Sequence, residues 1–145
     1  MKEATYHAAQ AGFSPTVMVG VRCRPVLPSD ASSHSVLRFH GQQVMLLADA
    51  KNSSRVFTYD AALSGTANDV DGSQEAVFHA LAAPLLLHVL EGFNASFLAY
   101  GQTGSGKTHT MYGTDTEPGI VTRACELLLN RLAKTAHKND SRFFV

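Results

Sequence analysis

An α/β fold with a mostly parallel sheet is predicted by three observations. An apolar strand signal runs Val17-Met18-Val19-Gly20-Val21-Arg22-Cys23-Arg24, and its first part is apolar at successive positions, as in a strand covered on both faces. A second apolar run, residues 95–100, leads directly into a glycine-rich loop and a helix start near Lys107. Two longer segments carry apolar residues at helical spacing: Val77, Leu81, Leu85 and Val89, and then Val121, Ala124, Leu128 and Leu132. Strand, loop and helix in that order are the repeating unit of sheets flanked by helices.

Each element follows from local chemistry. Residues 1–14 are polar and small and read as a flexible N-terminal segment, with no apolar h-region of a signal peptide. Pro25 and Pro28 stop the first strand, because proline cannot donate to a ladder. A Ser/Asp/Ala loop over 29–35 precedes two weaker strands, 35–39 and 43–47, joined as a hairpin through His40-Gly41-Gln42. Arg55-Val56-Phe57-Thr58-Tyr59 reads as a third strand, from its β-branched and aromatic content. Residues 61–72 read as a loop. A helix then runs from about Ser73 towards Leu90, capped by Asp71 or Ser73 and ended by Gly92. Pro84 should kink or split it. After the helix start near Lys107 comes a polar excursion from Gly113 to Gly119, then a helix from about Ile120 to Lys134. Arg142-Phe143-Phe144-Val145 looks like the start of another strand.

Composition narrows the function. Hydrophobic residues are 45% and charged residues 17% of the 145, enough apolar material for one packed domain. Twelve acids balance twelve bases, which gives no general attraction for nucleic acid or acidic lipid. The richest apolar run, Ala80 to Leu90, is too short to span a bilayer. Cys23 and Cys125 lie in apolar stretches and read as two reduced thiols packed as small hydrophobes in an intracellular protein. The histidines have no metal-ligand spacing.

The chemistry sits in Gly101-Gln102-Thr103-Gly104-Ser105-Gly106-Lys107-Thr108. This is the phosphate-loop pattern, placed between a strand and a helix as the pattern requires. A triphosphate needs many donors at close range. The glycines admit turns that aim successive N–H groups inward, and a helix start adds unpaired N–H groups. Lys107 is placed to reach the β- and γ-phosphates, and the Thr108 hydroxyl to hold Mg²⁺. Glycine is about 7% of average composition, so chance would produce this spacing in on the order of 1% of chains this long. The expected fold is therefore of the P-loop NTPase type, with helices on both faces of the sheet.

The surrounding residues are more specific. Glu91-Gly92-Phe93-Asn94, followed by Ala99-Tyr100-Gly101-Gln102-Thr103-Gly104-Ser105-Gly106-Lys107-Thr108-His109-Thr110-Met111, resembles the kinesin motor-domain pattern E-G-Y-N-x-x-x-x-A-Y-G-Q-T-G-S-G-K-T-x-T-M. Phe93 in place of tyrosine is the one departure there. Val21-Arg22-Cys23-Arg24-Pro25 resembles V-R-x-R-P, and Phe57-Thr58-Tyr59-Asp60 resembles F-x-F-D. Gly119-Ile120-Val121-Thr122-Arg123-Ala124 resembles G-I-I-P-R-A, with threonine replacing proline. The resemblance covers about residues 16–145.

It implies a motor that binds and hydrolyses ATP with Mg²⁺ and moves on microtubules in the cytoplasm and cytoskeleton. It also implies an adenine pocket from Arg22, Arg24, Pro25 and His109. Arg22 and Arg24 stand two apart and so project from one strand face, and a guanidinium plane, a proline ring and an imidazole can each cover a flat base.

After Thr108, however, there is neither the D-x-x-G nor the S-S-R-S-H that the family uses to sense the γ-phosphate and place the attacking water. Ser53-Ser54-Arg55 and Asp69-Val70-Asp71-Gly72 echo those elements upstream of the loop and read as a turn and a helix cap. The chain therefore reads as the N-terminal, nucleotide-binding part of such a motor, the fold breaking off after the phosphate-loop region. Catalytic residues are incomplete, efficient hydrolysis by this chain alone is not expected, and tubulin contacts and dimerisation belong to regions mostly outside it. The alternative is a degenerate or non-motor P-loop nucleotide-binding module without switch regions.

Overall fold

The computed structural model describes residues 17–25, 36–47, 53–65 and 72–139, with side chains as far as residue 134. The expectations for residues 1–14, the 29–35 loop, the Asp71 cap and the strand at 142–145 lie outside the described residues.

The architecture is α/β. Strand β1 (Gly20–Cys23) pairs in parallel with β5 (Ala61–Ser64), with Gly20 opposite Ala61 and Cys23 opposite Ser64. Between them in sequence lies an antiparallel meander of β2 (Leu37–His40), β3 (Gln43–Leu46) and β4 (Arg55–Thr58), in the order β2-β3-β4. The hairpin turns at Gly41-Gln42, as the sequence predicts. Asp60 joins the two sheets. Its N–H donates to Val19 O at 3.0 Å, and its Oδ2 accepts from Val19 N–H at 2.7 Å.

Strand β5 falls in what the sequence reads as a loop. Ala61-Ala62-Leu63-Ser64 has little intrinsic strand preference. It is a strand because it pairs with β1 and buries Ala62, Leu63 and Ser64 under the helices. The first strand is correspondingly shorter than expected. Val17 and Val19 precede β1 and are exposed, so this end is not covered on both faces.

The helix expected from Ser73 to Leu90 is present, and Pro84 has a visible effect on it. Ser73 caps α1 (Gln74–Val77), its Oγ accepting from Ala76 N–H at 3.1 Å. The chain then widens into a π-helical turn over Phe78–Ala82, where Ala83 N–H reaches back five residues to Phe78 O, before α2 (Ala83–Leu90). Proline has no N–H for a four-back bond. The wider turn absorbs that loss without breaking the helix. Gly92, at φ +95°, ends it.

Helix α3 (Lys107–Tyr112) and helix α4 (Ile120–Asn139) follow, separated by a loop closed by a bridge between Gly113 and Pro118. The core comprises Leu63 of β5, Val77, Phe78, Leu81, Ala82 and Ala83 of the irregular helix, and Ile120 of α4. Ala124 and Leu127 continue the α4 contact, while Val121 is exposed. The inner face of α4 is thus turned by about one residue from the stripe the spacing predicts. Cys125 is exposed rather than packed, Cys23 is half-buried, and both thiols are free.

Residues 95–100 form no strand ladder with the described residues. Their side chains nevertheless alternate. Phe97 packs against the core, and Ala99 is half-buried, whereas Leu98 is 86% and Tyr100 96% exposed. The two-residue period of a strand is present, with one face covered. The expectation of a buried strand fails on the other face. Among the described residues, none of the helices is long and apolar enough to cross a membrane.

Candidate functional site

The glycine-rich loop connects the segment 95–100 to α3 and takes the shape its composition anticipates. Gly104 and Gly106 have φ of +81° and +95°, a region that side chains rarely tolerate. A Cβ built at either glycine would meet nothing within 4 Å, so both are required by backbone conformation and not by crowding. Ser105 N–H closes a turn onto Gln102 O at 3.2 Å, and Gly106 O accepts from Thr110 N–H at 2.9 Å, starting α3.

Lys107 arches back over this loop. Its Nζ donates to Gly101 O at 2.9 Å and to Gln102 O at 2.8 Å. The ammonium is therefore held at the loop by two carbonyl dipoles, exchangeable partners that stronger anionic acceptors can replace. Gln102, Thr103, Gly104 and Thr108 are exposed along the rim, and Ser105 is half-buried with its Oγ against Gly101.

A polar network stands beside the loop. Arg22, at the end of β1, donates through Nε and Nη2 to Gly72 O at 3.1 and 2.8 Å. Its Nη1 donates to Gln74 Oε1 at 3.1 Å and to Thr110 Oγ1 at 2.9 Å. Gln74 is 3% exposed and donates through Nε2 to His109 O at 2.6 Å, with His109 Nδ1 at 3.2 Å from the same nitrogen. One guanidinium thus clamps the sheet, the N-terminal entry and first residue of α1, and the helix that follows the loop. Burial pushes the Arg22 pKa below its ordinary value, and the charge of Glu117 partly opposes this. An arginine stays protonated in either case.

The four residues expected at the base are placed unequally. Arg22 and His109 are brought together through Gln74. The edge of Arg22 is committed to the protein, which fixes the plane of the guanidinium and leaves stacking as its remaining means of contact. Pro25 is exposed and abuts the position a Gly65 side chain would take. Arg24 is half-buried and donates to Pro25 O at 3.3 Å.

Sequence reasoning missed Gln74, Thr110 and the Gly72 carbonyl. A signal for the first was available. Gln74, Val77, Phe78 and Leu81 stand at i, i+3, i+4 and i+7, so the glutamine occupies a core position of the helix. A polar side chain there needs buried partners.

Comparison with known proteins identifies the family of the chain. The kinesin motor domain family matches residues 22–145. The chain belongs to the kinesin motor-domain family. It is 38% identical over 122 residues to mouse kinesin-like protein KIF14, covering 81% of this chain and 7% of that protein. It is 38% identical over 136 residues to human chromosome-associated kinesin KIF4A, covering 88% of this chain and 10% of that protein. Among solved structures it resembles a KIF14 motor bound to a microtubule with ADP, at 37% identity and a TM-score of 0.75. It also resembles a two-heads-bound KIF14 dimer on a microtubule with AMP-PNP, at 37% identity and a TM-score of 0.77. The kinesin chain described here spans 34% and 35% of those two solved chains.

Proposed function

We infer that this chain is the nucleotide-binding portion of a kinesin-type motor, which binds ATP with Mg²⁺ and couples its hydrolysis to movement on microtubules. The observation that carries this reading is the loop from Gly101 to Thr108, with two left-handed glycines and a lysine held across its mouth by replaceable carbonyls. In this reading the triphosphate takes the place of those carbonyls at Lys107 Nζ, and the backbone N–H groups of the loop turn towards its oxygens. Thr108, exposed just behind Lys107, offers its hydroxyl to Mg²⁺. The metal, when bound, neutralises charge on the phosphate oxygens and orients them. The open space at Gly104 and Gly106 and the exposed hydroxyl of Thr108 fit such a group.

Arg22, Arg24, Pro25 and His109 are assigned to the adenine. The microtubule is the partner, and the cytoskeleton of the cytoplasm the site of action. Both assignments are supported by family membership and by the microtubule-bound state of the KIF14 structures.

Titration of the chain with a fluorescent ATP analogue and Mg²⁺ tests the assignment. Saturable binding is expected, lost in Lys107→Ala and in Thr108→Asn. Unchanged affinity in both variants would refute it.

A further inference from the structure

Gln74 lies outside the phosphate loop and outside the residues assigned to the base. The donor and acceptor roles around it are fixed by chemistry. Arginine only donates, so the Gln74 atom facing Arg22 Nη1 at 3.1 Å is the amide oxygen. A backbone carbonyl only accepts, so the atom facing His109 O at 2.6 Å is the amide nitrogen. The two ends of the side chain therefore have one consistent orientation, and an amide flip would set donor against donor and acceptor against acceptor.

The same nitrogen lies 3.2 Å from His109 Nδ1 and has a second hydrogen to give. A proton on Nδ1 would point at that N–H. A lone pair on Nδ1 accepts it. Gln74 is buried and His109 is exposed, so the amide is held from the inner side while the outer side of the ring stays open.

We propose that Gln74 is a positioning residue that holds the His109 ring with Nδ1 as acceptor and the N–H at Nε2, fixing both the ring's orientation and the edge it offers to a bound base. Arg22 supports this from behind. Bonded also to Gly72 O and Thr110 Oγ1, it prevents the Gln74 amide from rotating. The ring then presents an apolar face and an Nε2–H donor, so a nucleobase with an acceptor near that edge is favoured. The proposal rests on the assignment of His109 to the base, but the tautomer itself can be read without nucleotide.

The test is a long-range ¹H–¹⁵N spectrum of the full chain labelled at its seven histidines, with His109→Gln used to identify the His109 signals by their loss. The expected result is a pyridine-like Nδ1 and a pyrrole-like Nε2. A pyrrole-like Nδ1 would overturn the proposal outright, whatever any variant does. Gln74→Leu should average the two nitrogens towards the mixture found in a free imidazole. It should also weaken ATP binding by about three- to tenfold, the loss of one hydrogen bond's worth of restraint, with tripolyphosphate binding changed less than about twofold. Gln74→Glu keeps the shape but turns the amide donor into an acceptor, and should move the proton to Nδ1. A Gln74→Glu spectrum identical to wild type would also count against the proposal. If His109→Ala leaves ATP binding intact while the wild-type tautomer is as stated, the base assignment fails and the tautomer assignment stands.

Discussion

Replacing Arg22 with alanine should destabilise the whole unit, and the structure allows a rough magnitude. The side chain makes four hydrogen bonds to three acceptors, drawn from Gly72 just before the α1 cap, from α1 itself and from α3. Hydrogen bonds from charged donors contribute about 1.5–3 kcal/mol each in favourable cases. Here the two to Gly72 O share one acceptor, and the half-buried guanidinium admits some water after truncation. The buried Gly72 carbonyl and Gln74 Oε1 would still lose their partner, each costing about 1–2 kcal/mol. The expected loss is about 2–4 kcal/mol, a large share of the roughly 5–15 kcal/mol that holds an ordinary domain together. In a thermal melt followed by circular dichroism this corresponds to a fall of roughly 8–15 °C. Arg22→Lys should recover little, since an ammonium cannot span Gly72, Gln74 and Thr110 together. Equal melting temperatures for Arg22→Ala and wild type would refute the clamp and return Arg22 to a surface role.

Three further outcomes are expected. Val77→Ala, at a side chain with no exposed surface, should cost about 2 kcal/mol in urea unfolding through lost transfer energy and a cavity. Gly113→Ala should be worse than its size implies, because φ is +73° and the new Cβ would collide with the backbone carbonyl of Glu117; a variant melting within a degree of wild type would show that the loop relaxes freely. Iodoacetamide at mildly alkaline pH should modify exposed Cys125 well before Cys23, whose thiol pKa is pushed up by burial despite Arg24 nearby, so that less thiolate is present at any given pH; mass spectrometry of the timed reaction reads the order directly.

Much of this was legible in the sequence, for identifiable reasons. The phosphate loop, the hairpin at Gly41-Gln42 and the helix capped by Ser73 depend on short-range chemistry, and each lies where expected. Strand β5 was not legible, because Ala61-Ala62-Leu63-Ser64 becomes a strand through a partner 41 residues away in sequence and through burial. The segment 95–100 was misjudged in the opposite sense. Its apolar composition predicts burial, but Leu98 and Tyr100 face outward. Periodicity gave the right alternation there and could not say what covers each face. At the site, the helix starts at Lys107, where the sequence expects it. It read Arg22 as a base contact alone and was silent on Gln74, whose meaning depends on partners 35 and 52 positions away in sequence.

The parallel pair β1–β5 has a consequence for the order of assembly. Its two strands are joined through the antiparallel meander, whose own contacts are short in sequence. A hairpin closes in about 1–10 μs, whereas longer closures carry a growing entropic toll. The meander is thus free to form first, and Asp60 then zips β5 onto β1 across 41 residues. The Arg22 bond to Thr110 spans 88 residues, and on the same entropic argument is expected to close after the others. The neighbourhood of the phosphate loop would be the final part of the unit to become native and the first to let go. Substitutions in the Arg22 network should therefore show up mainly as faster unfolding, with the refolding rate hardly altered.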